Sequence, residues 1–183
     1  HQMILEKEGS VYYRRLSEWC AGHGIALVGH PHRSDDIEVE RWFQIPGQDL
    51  ALRWVAPRHH AVDGIDSTMG HCSADAALLM GCRRNANECF GACNRDGNPW
   101  QLSGGDIKWY LDWLSVRGVN LFIPHAFYYS IEGPRKEERP PDVGPHSIWW
   151  GHYTLWSDYM RRLSALLTDA EVLVRVALPC RNR

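Results

Sequence analysis

The 183-residue sequence lacks any apolar run approaching the roughly 18 residues that a membrane span requires. No basic n-region followed by an apolar h-region precedes its first helix-like segment either. A membrane partner is therefore not expected. The compartment stays open between cytoplasmic and periplasmic or secreted, because the sequence begins at His1 rather than Met and reads as part of a longer polypeptide. Excess positive charge is also missing: 20 Lys and Arg against 22 Asp and Glu give a net charge of -2 and a pI near 6.6. That balance argues against nucleic acid, which needs clustered positive charge, and favours a small-molecule ligand.

Cysteine is sparse. Cys20, Cys72, Cys82, Cys89, Cys93 and Cys180 are too dilute for a disulfide scaffold in a chain of this length, so reduced thiols are expected. No Cys-x-x-Cys pair occurs, and the adjacent His71 and Cys72 would point apart, so His71, Cys72, Cys82, Cys89 and Cys93 read as packed side chains rather than zinc ligands. Neither a metal nor a cofactor is expected. No Gly-x-Gly-x-x-Gly or P-loop follows any strand-like run, which weighs against a nucleotide-binding fold. What is present, 44% hydrophobic and 23% charged residues, matches an ordinary folded domain.

Strand and helix signals alternate. Ser10 can cap a helix with Tyr12, Leu16, Trp19 and Cys20 on one face, stopped by Gly22 and Gly24. Ile25 to Gly29 is a short apolar run of the kind buried on both faces, ending at His30. Val39 to Ile45 reads as a weaker strand closed by a Pro46-Gly47-Gln48-Asp49 turn. Asp66 or Ser67 can cap a helix to about Met80, with Cys72, Ala76, Leu79 and Met80 inward and Gly81 as its stop. Cys82 to Asn87 has strand character, and Ser103 with Asp106 opens a capped helix that runs towards Gly118. Val119 to Ile123 is the clearest strand. A long loop from Gly133 to Pro145, a helix with Tyr153, Trp156, Met160, Leu163 and Leu167 at spacings of three and four, and a last strand over Glu171 to Pro179 complete the chain. This alternation predicts an α/β fold with parallel strands, a (β/α)8 barrel before a doubly wound sheet.

Parallel strands share one C-terminal face, where such folds place their sites. The strand ends supply His30, then Gln48 and Asp49, then Asn87 and Glu88, then His125 with Tyr128 and Tyr129. Glu88, beside an amide and the small Gly91 and Ala92, is the residue best suited to act as base or nucleophile; its plain alternative is a solvated surface charge. His30 and His125 suit substrate contact or a structural hydrogen bond equally, and Asp49 also fits a turn. The nine tryptophans divide between helical Trp109, Trp113 and Trp156, expected to pack, and the loop residues Trp100, Trp149 and Trp150, suited to line a groove. Flat apolar rings rimmed by carboxylates and amides suit a carbohydrate.

The order Trp19-Cys20, His23-Gly24-Ile25, Gly29-His30, Ile45-Pro46-Gly47-Gln48-Asp49, Asn87-Glu88-Cys89-Phe90-Gly91-Ala92, Gly118-Val119-Asn120 and His125-Ala126-Phe127 resembles the C-terminal half of a glycoside hydrolase barrel. It is most similar to bacterial enzymes akin to the α-L-rhamnosidases of glycoside hydrolase family 106. The resemblance implies a partial (β/α)8 TIM barrel over residues 1–169, about strands 5–8. Residues 170–183 would then open a further domain. It places His30 and Asp49 at the fifth and sixth strands, Glu88 at the seventh and His125 at the eighth, with Asn87, Tyr128 and Trp149 around the sugar. The second catalytic carboxylate would lie upstream of His1, since neither Glu6 nor Glu8 sits at a strand end, and the isolated piece would be inactive. The implied partners are a carbohydrate substrate and the remainder of the same polypeptide. Inversion with Glu88 as general base follows from the narrower likeness, a nucleophilic Glu88 from the wider one. The alternative is a non-catalytic carbohydrate-binding or degenerate barrel. One departure stands out: roughly a dozen residues separate the first two strands, fewer than a regular strand-helix-strand connection uses.

Overall fold

The computed structural model describes residues 7–32, 36–50, 55, 70–91, 100, 102–137, 143–173 and 176. Its frame is a four-stranded sheet of β1 (Val28–Gly29), β2 (Ile45–Asp49), β3 (Ala86–Cys89) and β4 (Leu121–Pro124). The strands lie in sequence order and every neighbouring pair is parallel. Right-handed crossovers between parallel strands taken in order all fall on one face of a sheet. The helices that use that face here are α3 (Cys72–Met80), α4 (Gly104–Ser115) and α5 (Tyr153–Leu167); α1 (Arg14–Gly22) and the single turn α2 (Ile37–Glu40) precede them at the β1 side.

Register decides which side chains meet the helices. Gln48 pairs with Asn87, and Asn87 with Phe122, so this row points to one face. All three are buried there. The Ser73 backbone N–H of α3 donates to Gln48 Oε1 at 3.0 Å, and Asn87 Nδ2 donates to the Tyr110 hydroxyl of α4 at 3.2 Å. Phe122 joins the main core with Ile107, Leu111, Leu114 and Met160. The next row, Asp49, Glu88 and Ile123, points the other way, together with Val28, Ile45, Ala86 and Leu121. That face is apolar at its base and uncovered among the described residues, with Val28 and Ile123 each 41% exposed.

Two asparagines anchor the strand starts. Asn120 Oδ1 accepts from Asn85 N at 3.0 Å, and Asn85 Nδ2 donates to Gly118 O at 2.8 Å, tying the approaches to β3 and β4 together. The Ser103 capping box forms as the sequence implies, with the Ser103 side chain accepting from Asp106 N. Gly81 (φ 67°) and Gly118 (φ 90°) close their helices in the left-handed region that glycine tolerates. Tyr153, Trp156 and Leu163 of α5 pack on the core around buried Met160, in line with their spacing.

Several expectations need correction. The run Ile25–Gly29 is not a strand buried on both faces: only Val28 and Gly29 pair, and Ile25 and Val28 are exposed, because no described strand lies beyond β1. Likewise, Val39–Ile45 is not the second strand. Ile37–Glu40 makes a helical turn, and the strand is the Ile45–Asp49 segment that its proline and glycine had marked as a turn. Gly47 serves close approach there, since a Cβ at this position would stand 2.2 Å from the Gly29 carbonyl oxygen. On α3 the buried residues are Cys72, Ser73, Ala76 and Ala77, with Leu79 exposed. Hydrogen bonds from Ser73 to Gln48 and Asn85 rotate the helix to that side. The helix start at Asp66 or Ser67 lies outside the described residues. Glu171–Leu173 and Val176 pair with no strand, and the rest of the expected last strand is likewise outside them.

Gly47→Ala is expected to lower unfolding stability by about 1–3 kcal/mol or more through overpacking against β1. Gly22→Ala, at a helical site with nothing within 4 Å, should be neutral or stabilising. Urea unfolding of the two variants checks the contrast.

Candidate active site

Three adjacent strand ends bring three ionisable groups to one place. His30 follows β1, Asp49 ends β2 and Glu88 lies in β3 in register with Asp49. One donor atom from each lies within 4.8 Å of the other two. His30 Nε2 is 3.3 Å from Glu88 Oε2, each side chain about a third exposed, while His30 Nδ1 is 2.9 Å from the Pro31 carbonyl oxygen. An imidazole with a carboxylate at one nitrogen and a carbonyl at the other is held as imidazolium. The Glu88 hydrogen bond is the largest influence, and it outweighs partial burial to push the His30 pKa up to about 9.

Beneath this cluster lies a residue that sequence patterning missed. Glu40 is fully buried, and its Oε2 accepts from Gly47 N at 2.9 Å in β2. Its Oε1 has no hydrogen-bond partner among the described residues. Burial pushes its pKa up to about 8, against the opposing pulls of the Gly47 N–H and the His30 charge. Reading Val39–Ile45 as a strand hid this inward turn, and no local signal marks a buried glutamate.

The other expected site residues lie outside that three-residue cluster. Asn87 is completely buried on the helix-covered face, on the opposite side of the sheet from Glu88, and its Nδ2 donates to Tyr110 and to the Glu88 carbonyl oxygen. Neighbours in a strand point to opposite faces, so Asn87 and Glu88 cannot share a pocket. His125 follows β4, with its backbone N–H donating to Cys89 O at 2.7 Å and its ring against Gly91. Tyr128 packs edge-on to that imidazole at 6.1 Å. Trp149 lies in the wall of an aromatic cavity with Phe90, Trp100 and Trp156, and its Nε1 donates to Leu102 O at 2.8 Å.

The cluster of one imidazole and two carboxylates offers three donors of the kind a divalent transition metal takes, and such an ion would have to displace the His30 proton. Among the described residues none of the cysteines weighed for zinc belongs to it: Cys72, Cys82 and Cys89 are free thiols, Cys72 and Cys89 buried, and Cys93 lies outside the described residues. Asp49 and Glu88 are also too close to act as the two carboxyl groups of an inverting hydrolysis, which stand about 6.5–9.5 Å apart to admit water.

Consecutive parallel strands, helices on one face and ionisable groups at the C-terminal strand ends define an α/β fold compatible with part of a barrel. The chain is similar in fold to the structure of a rhamnosidase from Novosphingobium sp. PP1Y, with a TM-score of 0.61 and 20% sequence identity. The match covers 88% of this chain and 16% of that chain, so this chain spans a small part of the length of the protein it matches. No family model matches the sequence, and no curated protein matches it.

Both raised pKa values carry the same sign. The His30 contribution to stability is fully present below about pH 6.5 and is lost as pH rises through about 9; that of neutral Glu40 is fully present below about 4.5 and lost through about 8. Unfolding free energy is expected to fall between pH 6.5 and 9, with a shallower fall in Glu40→Gln. By NMR titration His30 should titrate near pH 9 in the unmodified protein and move towards 6.5 in Glu88→Gln.

Proposed function

We propose that this chain contributes strands five to eight of a glycoside-hydrolase (β/α)8 barrel, residues 1–169, and that residues 170–183 open a following domain. Glu88 acts as general base or nucleophile on an O-glycoside, an α-L-rhamnoside or a related sugar. The observation that carries this reading is the His30–Asp49–Glu88 cluster at the C-terminal ends of three consecutive parallel strands, the position at which barrel enzymes hold their reacting groups. Likeness of fold to a rhamnosidase supports it.

The rest of the barrel belongs to the same polypeptide in this reading. A complete barrel takes about 250 residues, and the uncovered apolar face with Val28, Ile45, Leu121 and Ile123 is the part of the sheet that the remaining strands would enclose. Exposed Tyr12, Trp19 and Ile25 at the β1 side support a neighbour there. The partner carboxylic acid then comes from an earlier strand, across the sugar from Glu88. His30, as imidazolium, stands 3.3 Å from Glu88 Oε2 and holds that oxygen in place. Asp49, beside them, holds the imidazolium and is placed to take a sugar hydroxyl. His125 and Tyr128 wall the site at the last strand.

Expressed from its full reading frame, the protein should release 4-nitrophenol from the 4-nitrophenyl α-L-rhamnoside or a related glycoside. Glu88→Gln should lower kcat by about 10²–10⁴ with the fold intact. Turnover within twofold of the unmodified protein contradicts the assignment. Sugar binding with no turnover on any glycoside assigns the non-catalytic alternative instead.

A further inference from the structure

The helical turn α2 and the four residues after it clamp the end of β1 onto β2. Trp42 N donates to Val39 O at 3.1 Å and Phe43 N to Glu40 O at 3.0 Å, which closes the turn and brings Glu40 and Phe43 to the two strands. Phe43, buried, lies against Gly29: a Cβ there would stand 2.9 Å from its Cε1. Glu40 Oε2 accepts from Gly47 N at 2.9 Å. Gln44 adds a third hold, its Oε1 accepting from Leu27 N at 2.8 Å and its Nε2 donating to the Ser17 hydroxyl of α1 at 2.7 Å. One short segment thus grips both strands where β1 ends.

That end is the place from which the ionisable side chains leave the backbone. Gly29 pairs with Pro46, and a Cβ on Gly47 would run into the Gly29 carbonyl, so the bare Gly47 admits β1 this close. His30 is the residue after Gly29. Asp49 lies two residues beyond Gly47 and on the same face of β2. Glu88 stands on β3, so the 3.3 Å contact between His30 and Glu88 spans β2 and is set by how β1 ends beside it. Glu40, fully buried, presents nothing to a substrate, and burial holds it largely neutral at pH 7. It acts through the backbone. A carboxyl shielded from water is costly unless hydrogen-bonded, whereas an apolar side chain would fill the space and give Gly47 nothing to hold. Precision matters here, because a misplacement of about 1 Å costs on the order of a hundredfold in rate.

We propose that Glu40 is a positioning residue for Glu88: by holding the Gly47 N–H where β1 ends on β2, it keeps His30 and Asp49 in place against the Glu88 carboxylate. What it supplies is an acceptor of fixed position rather than a charge. The inference deepens the glycosidase reading and rests on it for the turnover it predicts.

Two variants separate the acceptor from the bulk. Glu40→Gln keeps the acceptor and the shape of the neutral acid, while Glu40→Leu keeps the bulk alone. In ¹H–¹⁵N spectra of the whole chain, the Gly47 amide should follow Glu40 through a midpoint of about 8 in the unmodified protein and lose that step in Glu40→Gln. The His30 imidazole, at about 9 in the unmodified protein, should stay within about half a unit in Glu40→Gln. In Glu40→Leu it should fall by about one unit or more, a tenfold loss of proton affinity as the ring leaves Glu88. In the protein expressed from its full reading frame, Glu40→Leu should lower kcat by about 10- to 100-fold with KM within about twofold, and Glu40→Gln should restore kcat to within about threefold. Absence of the Gly47 step, an unmoved His30 in Glu40→Leu, or equal losses in the two variants overturns the proposal. Should Glu40→Leu not fold, the Gly47 step and the His30 midpoint of Glu40→Gln decide it. Absence of turnover in the unmodified protein contradicts the glycosidase reading, whereas full activity in Glu40→Leu contradicts this one, so the two failures are read separately.

Discussion

Everything at the candidate site depends on the register of β2 against β3. Asp49 pairs with Glu88, and one residue earlier Gln48 pairs with Asn87. Because strand side chains alternate, this pairing sends two carboxylates to the uncovered face and two amides into the helix layer. A slip of β2 by one residue would turn Asp49 into the helix layer and Gln48 out of it, at the cost of desolvating a charge. Ser73 ties the two strands together, its N–H donating to Gln48 and its hydroxyl to the Asn85 side chain just before β3, while Asn120 holds Asn85 to β4 and the bare backbone contact at Gly47 sets β2 against β1. The ionisable cluster is thus a consequence of polar and steric fixtures that lie elsewhere in the sheet.

The electrostatic balance follows from the same placement. Two carboxylates within 4.8 Å repel one another unless a positive group stands between or beside them, and His30 supplies it. Glu40 beneath, shielded from water, is held largely neutral at pH 7, which spares the sheet a third negative charge at the same strand ends. The three positions also come from three strands, so no single segment could build the cluster alone.

Much of the fold was legible in the sequence, and the failures have physical causes. Helices α4 and α5 follow local rules, a capping box and a 3.6-residue apolar period, and they stand where those rules put them. β2 was misplaced because Pro-Gly is ordinarily turn chemistry; here glycine answers the approach of Gly29, a contact between segments that no local pattern encodes. His30, Asp49 and Glu88 were recoverable as strand-end residues once parallel order was assumed. Asn87 was wrongly grouped with them, since adjacency in sequence is the opposite of adjacency on a pleated sheet. Trp149 was rightly associated with a groove, yet that groove is apolar and apart from the carboxylates. Glu40 had no sequence signature because its role depends on the Gly47 backbone N–H of β2, which lies outside its own helical turn.

The central claim is that Glu88 stands on the face of the sugar from which water or a nucleophile attacks. Its most direct test is azide rescue of Glu88→Gly in the protein expressed from its full reading frame, with the anomeric configuration of the product read by NMR. The account expects azide to restore turnover and to give a glycosyl azide of configuration opposite to the substrate. No rescue, or a glycosyl azide of retained configuration, would contradict it.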